Sequence, residues 1–89
     1  MDFEKQVRIK NQMGLHVRPA TAFSKLAQKY RSQIAVFKDG QRVDAKSCIE
    51  LLTLAAIAGT NLTIKASGED AREAVEELSK LIETGFGEE

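Results

Sequence analysis

The chain has 89 residues, of which 43% are hydrophobic and 29% charged, so it is long enough for one domain with one core and too short for two. Thirteen basic residues balance thirteen acidic ones, which excludes a strong overall field that would attract nucleic acid or an anionic membrane. One cysteine and one histidine exclude an internal disulfide and leave too few soft ligands for a zinc site made by this chain alone.

No part of the sequence has the apolar core of a signal peptide or the run of about 20 apolar residues that spans a bilayer. A single cysteine also fits a reducing compartment. We therefore expect one domain covering residues 1–89, located in the cytoplasm, with no metal ion or cofactor, no nucleic-acid partner and no membrane insertion.

The beginning of the sequence predicts a strand, a loop and a helix. Residues 3–10 alternate loosely between apolar and polar positions, which is typical of a strand. The loop NQMGLHVR follows. From Pro19 onward apolar residues recur every three or four positions, the pattern of a helix with one buried face, and proline is favoured in a first helical turn. The residues on that face are Ala20, Phe23, Ala27 and Tyr30.

The middle of the sequence predicts a hairpin. In the segment QIAVFKDGQRVDA, Asp-Gly is a favoured two-residue turn between two apolar stretches. Pairing across this turn sets Val36 beside Val43 and Ile34 beside Ala45. Both apolar pairs then share one face of the sheet, so the predicted register is self-consistent.

A second helix is predicted over SCIELLTLAAIA, with apolar residues around most of its surface. Ser47 and Glu50 have the spacing of a capping box at its start, and Gly59 is a natural stop.

The last part of the sequence predicts a strand, a third helix and a loose tail. The segment NLTIKA alternates, with Leu62, Ile64 and Ala66 facing inward, and an amphipathic helix begins at about Asp70. The final GFGEE is expected to be a loose tail. The order β-α-β-β-α-β-α predicts an α+β fold in which helices cover one face of a four-stranded, mostly antiparallel sheet.

The chemistry of the sequence is concentrated in GLHVRPA at residues 14–20, which holds the only histidine and the only proline. The first N–H groups of a helix have no internal partners, and the helix dipole places positive charge there, so this segment predicts an anion site. Gly14 lets the chain turn tightly into the helix, and Arg18 adds a charge that can pair with phosphate oxygens. The residues expected to hold a phosphate are Val17, Arg18, Pro19 and Ala20.

In this positive setting we expect the imidazole of His16 to resist protonation and to remain a nucleophile. A neutral ring nitrogen beside a phosphate pocket suits covalent phosphoryl transfer, in which the histidine accepts the group and then releases it. Two other interpretations remain open from the residues alone. His16 is either an ordinary surface histidine in a loop or part of a site that binds phosphate without transferring it.

The motif GLHVRPA, together with DAKSCIELLTLAA about 30 residues later and SGED before the last helix, resembles the HPr phosphocarrier family of the bacterial phosphoenolpyruvate-dependent phosphotransferase system. The likeness covers essentially the whole chain and implies an open-faced βαββαβα sandwich with three helices on one face. It implies that His16 accepts a phosphoryl group on Nδ1 from phosphorylated enzyme I and passes it to an enzyme IIA domain. Arg18 would steady the phosphoryl group.

The resemblance leaves two branches open, one serving sugar uptake and one a nitrogen-related regulatory branch. Glu50 and ELLTLAA favour the latter. The alternative to a phosphocarrier is a regulatory paralogue that acts mainly by binding proteins, against which the retention of His16 argues. A carrier of this kind is transferase-like but not a stand-alone enzyme. An RNA-binding sheet is disfavoured because Phe3 and Phe37 lack a basic, aromatic surface around them.

Two positions depart from the family pattern. Met13 lies where some members carry an asparagine or serine that can hydrogen-bond the histidine ring, which methionine cannot do. Glu50 lies where many members of the sugar branch carry glycine.

Ser47 has two interpretations. In part of the family a kinase phosphorylates this serine and lowers carrier activity, and a phosphatase reverses it. The capping box explains the residue without regulation, and the Glu50 carboxylate would repel a phosphate there.

The resemblance also implies a partner surface beside His16. Consecutive residues of the second helix spread around its axis, so part of its apolar surface is expected to be exposed. An ordinary buried helix is the alternative. We interpret Cys48 as a packing residue and expect the protein to be a monomer. The expected partner contacts are Val17, Thr21, Cys48, Ile49 and Leu52.

Overall fold

Four strands form one sheet in the computed structural model, which describes residues 1–88. They are β1 (Asp2–Arg8), β2 (Gln33–Lys38), β3 (Gln41–Asp44) and β4 (Asn61–Ser67). Their spatial order is β1-β4-β2-β3, and every neighbouring pair is antiparallel. The prediction of a mostly antiparallel four-stranded sheet is therefore confirmed.

Three helices accompany the sheet: α1 (Val17–Ala27), α2 (Cys48–Leu52) and α3 (Ala71–Glu83). Helix α3 packs against β1 and β4, and α1 packs against both α2 and α3. A short 3₁₀ turn, Gly85–Gly87, follows α3. This arrangement is the predicted open-faced α+β sandwich.

Alternate residues of the strands build the core. Leu62, Ile64 and Ala66 of β4 are buried, as the alternation predicts. Val36 of β2 pairs with Val43 of β3 on one side and with Ile64 of β4 on the other. The predicted hairpin register is therefore confirmed. The second predicted pair also forms, since the amide of Ala45 donates to the carbonyl of Ile34 at 2.9 Å just beyond the end of β3.

Helix α1 begins two residues earlier than predicted. His16 is its N-cap residue, with an extended backbone (φ −92°, ψ −168°), and its carbonyl accepts the first helical hydrogen bond from Ala20 at 2.9 Å. Pro19 is the third helical residue, still within the first turn that tolerates proline. The helix ends at Ala27, so Tyr30 lies beyond it in the turn that leads to β2.

Helix α2 is much shorter than predicted, because it ends at Leu52 instead of continuing towards Gly59. Ala55 adopts a left-handed backbone (φ 49°), which is incompatible with a continuing helix. Beyond that point the chain is a loop whose Leu54 and Ala56 side chains are buried. These residues fill the core from a loop, and apolar residues in an irregular segment produce the same continuous apolar run as a buried helix.

The tail is not loose, contrary to the prediction for GFGEE. Gly85 is buried, and the side chain of Phe86 packs partly buried against the core. The amide of Glu88 donates to the carbonyl of Gly85 at 2.8 Å, which closes a turn after α3. Glu89 lies outside the described residues.

Ser47 caps α2 as predicted, but the capping box is only half formed. Its hydroxyl accepts a hydrogen bond from the amide of Glu50 at 3.1 Å. The Glu50 carboxylate accepts from the amide of Asp44 at 2.9 Å instead of from Ser47, because the Ser47 amide already donates to the Asp44 carbonyl. Glu50 therefore fixes the chain before the helix as well as its first turn.

Asp70 joins the start of α3 to the turn that follows α1. Its carboxylate accepts hydrogen bonds from the hydroxyl of Ser32 and from the amides of Arg31 (2.9 Å) and Ser32 (3.0 Å). The Ser32 hydroxyl contributes most, followed by the Arg31 amide, and together these donors lower the pKa of Asp70 to about 2. The charged carboxylate is therefore the form that this junction requires.

We predict that replacing Ser47 with alanine lowers the free energy of unfolding by about 1 kcal/mol, because the Glu50 amide loses its acceptor. Ser47→Asn is the matched control, since its side-chain oxygen still caps and its loss should be within a few tenths of a kcal/mol. Denaturant unfolding measures both variants. Equal stability of wild type and Ser47→Ala would show that the cap contributes nothing.

A second prediction concerns acid stability. Because the pKa of Asp70 is lower in the folded protein, its contribution is full above the unfolded value of about 3.9 and is lost as the pH falls towards about 2. Asp70→Asn should therefore be less stable at neutral pH and should lose less stability on acidification over that interval. Glu69→Gln, a change at the exposed neighbouring carboxylate, serves as the control in thermal unfolding between pH 7 and pH 2. An Asp70→Asn profile parallel to that of wild type would contradict the assignment.

Candidate functional site

The loop before α1 is held against the segment that follows α2. Gly14 has a left-handed backbone (φ 72°), and an added Cβ would lie 2.5 Å from the carbonyl oxygen of Ala56. The next amide, that of Leu15, donates to the same carbonyl at 2.8 Å. Only glycine fits this approach. The loop therefore delivers His16 to the start of the helix at a fixed position.

The first turn of α1 presents unsatisfied donors. The amides of Val17 and Arg18 have no acceptor among residues 1–88, and Pro19 has no N–H to satisfy. No acidic residue lies in this first turn, and the His16 side chain does not cap the helix. Two free amides and the positive end of the helix dipole thus meet beside the histidine, which is the arrangement that binds anions.

His16 and Arg18 are accessible at this end of the helix. The imidazole is half exposed, with 37% of its side-chain surface accessible, and Arg18 is exposed to solvent. Within residues 1–88 the guanidinium of Arg18 makes no ion pair. An anion at this end of the helix therefore meets an open surface with an available cation.

A carboxylate that sequence reasoning missed already contacts the ring. Both side-chain oxygens of Glu88 lie 3.1 Å from Nε2 of His16. Asn11, which is 2% exposed, donates from Nδ2 to Glu88 at 3.0 Å and to the carbonyl of Gly14 at 2.7 Å. Desolvation raises the pKa of Glu88, but hydrogen bonds from His16 and Asn11, helped by the charge of Arg18, outweigh it and hold that pKa below its ordinary value. Glu88 is thus an anion at neutral pH.

The structure brings the predicted partner contacts of the two helices together. The Thr21 hydroxyl of α1 lies 3.4 Å from the sulfur of Cys48 in α2, and both side chains are half-buried, as is Leu52. Val17 and Ile49 are 63% and 77% exposed. The expectation that part of α2 faces solvent holds for Ile49 but not for Leu51, which is buried.

Two further apolar side chains, Met13 and Ile57, are exposed on the two loops that meet at Gly14. Met13 directly precedes Gly14. A Cβ added to Gly14 would lie 2.9 Å from the Cα of Ile57, so the two loops are in contact at this point. Sequence reasoning missed Ile57 as a surface residue because it treated residues 53–58 as helix. We call the exposed residues Met13, Val17, Ile49 and Ile57 the apolar rim. The rim is contributed by α1, α2 and the loops beside them.

Residues 1–88 contain no group of three or more histidine, cysteine, aspartate or glutamate side chains arranged to hold a metal ion. None of the helices among them is both long enough and apolar enough to cross a bilayer.

Comparison with known proteins assigns the family. Residues 3–84 match the family model described as the PTS HPr component phosphorylation site. The phosphocarrier protein HPr of Haemophilus influenzae is 48% identical over 82 residues, which are 92% of this chain and 96% of that protein.

Solved structures give the same result. HPr-C-His from Thermoanaerobacter tengcongensis superimposes with a TM-score of 0.94 at 44% identity and covers 98% of both chains. Crh, the Bacillus subtilis catabolite repression protein, was solved as a dimer with a swapping domain, and it matches with a TM-score of 0.76 at 37% identity over 91% of this chain and 93% of its own. A half-exposed histidine at the start of α1, the sheet order and these matches agree. The chain belongs to the HPr family of phosphocarrier proteins.

Proposed function

We propose that this protein is a phosphocarrier that accepts a phosphoryl group on His16 from phosphorylated enzyme I and passes it to enzyme IIA domains, in sugar uptake or its regulation. The observation that carries the proposal is the placement of an accessible imidazole at a helix start, beside two amides and the Arg18 guanidinium that have no partner within residues 1–88. Residues 1–89 act as one phosphocarrier domain.

The transfer needs little from the protein besides geometry and charge. The lone pair of Nδ1 attacks the phosphorus atom, the N–P bond to His16 forms, and the bond to the donor nitrogen breaks with its electron pair returning to the donor. The proton on Nε2 remains on the ring. In the second step the acceptor side chain attacks the same phosphorus atom, and the electron pair of the N–P bond returns to Nδ1. The amides of Val17 and Arg18 and the Arg18 guanidinium stabilise the phosphoryl oxygens.

The surface around the histidine suits docking to proteins. A carrier must place its ring in the active site of one partner and then of another, so the contact area has to surround the ring. The apolar rim supplies exposed apolar surface at this place, next to the half-buried Thr21, Cys48 and Leu52. We propose that the previously expected contacts, Val17, Thr21, Cys48, Ile49 and Leu52, bind enzyme I and enzyme IIA domains.

A second candidate is a regulatory paralogue, of the nitrogen-related branch or similar to Crh, that acts mainly through protein binding. The likeness to Crh favours it. Under this proposal a serine kinase and phosphatase act on Ser47, whose hydroxyl is half-buried and engaged as the cap of α2. A kinase would have to disengage that hydroxyl first. Retention of His16 favours transfer over binding alone.

The monomer expectation stays a proposal, since both an HPr of Thermoanaerobacter tengcongensis and Crh of Bacillus subtilis were solved as dimers. We propose a monomer in the cytoplasm, where phosphorylated enzyme I would be its donor. Light scattering of the purified chain measures the mass, and a mass twice that of the 9.8 kDa chain would contradict the monomer.

The main test is phosphorylation by enzyme I. Incubation with phosphoenolpyruvate and enzyme I should add one phosphoryl group that is labile to acid and is missing in His16→Ala, as measured by intact-protein mass spectrometry. The enzyme I of the sugar branch and that of the nitrogen-related branch are compared as donors to assign the branch. Binding to both donors with no phosphoryl gain from either would favour the purely regulatory candidate.

Arg18→Gln should lower the rate of phosphorylation of His16 by about 10-fold to 100-fold, because a hydrogen bond to a charged group contributes about 1.5–3 kcal/mol. Arg42→Gln is the matched control, since Arg42 is also exposed but lies on β3 and not at the start of α1. Quenched-flow assays with enzyme I give both rates. A rate for Arg18→Gln equal to that of Arg42→Gln would remove Arg18 from the site.

A further inference from the structure

We propose, on the basis of the phosphocarrier function above, that Glu88 is a positioning residue for His16: its carboxylate holds Nε2 and so keeps Nδ1 as the nucleophilic nitrogen. Asn11 holds the carboxylate in turn. The chain Asn11–Glu88–His16 thus connects the loop before α1 to the turn after α3.

The contact determines which ring nitrogen carries the proton. An ionised carboxylate can only accept hydrogen bonds, so a hydrogen bond to Glu88 requires Nε2 to be the donor. Both Glu88 oxygens lie 3.1 Å from that nitrogen. In a neutral imidazole the other nitrogen then carries the lone pair. Glu88 therefore selects the tautomer in which Nδ1 can attack phosphorus.

The carboxylate is fixed from two sides. Asn11 is almost fully buried, and its amide nitrogen bridges Glu88 (3.0 Å) and the carbonyl of Gly14 (2.7 Å). On the other side, the Glu88 amide bonds to Gly85, and Phe86 packs against the core between them. Because backbone and side chain are both held, Glu88 can orient the ring and not merely touch it.

The turn after α3 provides a hydrogen bond to the His16 ring that the loop before α1 does not provide. Met13 is exposed and has no group that can hydrogen-bond an imidazole. In this chain the hydrogen bond to the ring comes from a residue 72 positions away along the sequence. The turn after α3 thus supplies a contact to the ring that Met13 does not supply.

Glu88 also acts on the phosphorylated state. A ring that carries a phosphoryl group on Nδ1 and a proton on Nε2 bears positive charge, and the carboxylate at Nε2 offsets that charge. The same interaction is weaker with the neutral ring, so Glu88 favours acceptance of the phosphoryl group. Loss of the carboxylate should therefore slow acceptance of the phosphoryl group.

The test separates hydrogen bonding from charge in three variants of the full chain. Glu88→Ala removes both the hydrogen bond and the charge, whereas Glu88→Gln keeps an acceptor oxygen without the charge. Glu83→Gln is the control, because the exposed Glu83 carboxylate pairs with Lys5 on β1 and not with His16. Long-range ¹H–¹⁵N NMR at about pH 8.5, two units above the ordinary histidine pKa of about 6.5, reports the tautomer of His16. We expect Nε2–H in wild type, Glu88→Gln and Glu83→Gln, and a mixture of tautomers in Glu88→Ala.

The rate of phosphorylation by enzyme I is measured on the same proteins. The rate should fall about tenfold in Glu88→Ala, because that variant loses one hydrogen bond to a charged group. It should fall less in Glu88→Gln and stay unchanged in Glu83→Gln. An unchanged tautomer in Glu88→Ala, or a changed tautomer with an unchanged rate, would overturn the proposal. The NMR measurement needs no enzyme I, so a wild-type protein that is never phosphorylated would refute the carrier function separately from the role of Glu88.

Discussion

The close approach of two loops, at Gly14 and Ala56, is the constraint on which the site depends. The Ala56 carbonyl accepts from Leu15 and leaves no space for a side chain on Gly14. Since Leu15 and Ala56 are buried, the histidine loop is attached directly to the core instead of projecting from it. The interrupted α2 is what brings Ala56 to this position, because a helix that continued through residue 55 would not turn its carbonyl towards the loop.

Charge at the site is divided between backbone and side chains. The positive side consists of two free amides, the helix dipole and Arg18, and the negative side consists of Glu88 alone within residues 1–88. Glu88 contacts Nε2, so the proposed phosphoryl acceptor, Nδ1, is left to the positive side. Under the proposed function, a single imidazole between a fixed anion and an anion-binding helix start would hold the phosphoryl group. The balance is local, since the chain as a whole has no net charge.

Sequence patterns predicted the elements whose faces are regular. The alternation in β4, the Asp-Gly hairpin with Val36 beside Val43 and the element order all follow from periodicity, and the structure has them. Periodicity gave the wrong length for α2 because Leu54 and Ala56 are buried in a loop, and burial alone does not distinguish a loop from a helix. Ser47 was predicted correctly as a cap because capping is local.

Glu88 was missed for the opposite reason: its contact with His16 joins residues far apart in the sequence, and a short glycine-rich tail gives no periodic signal. The one available cue was Phe86 between two glycines, an aromatic side chain with no reason to be in a solvated tail.

The position of Glu88 makes the two ends of the chain unequal for protein engineering. The carbonyl of Met1 bonds to Gly68 at the end of β4, where an added peptide or fluorescent label would extend from the sheet. A label attached within a few residues after Glu88 would instead lie close to the imidazole and would disturb the turn that presents the carboxylate. Reporter fusions at the amino end therefore preserve the native surroundings of His16, whereas fusions at the carboxyl end need a spacer.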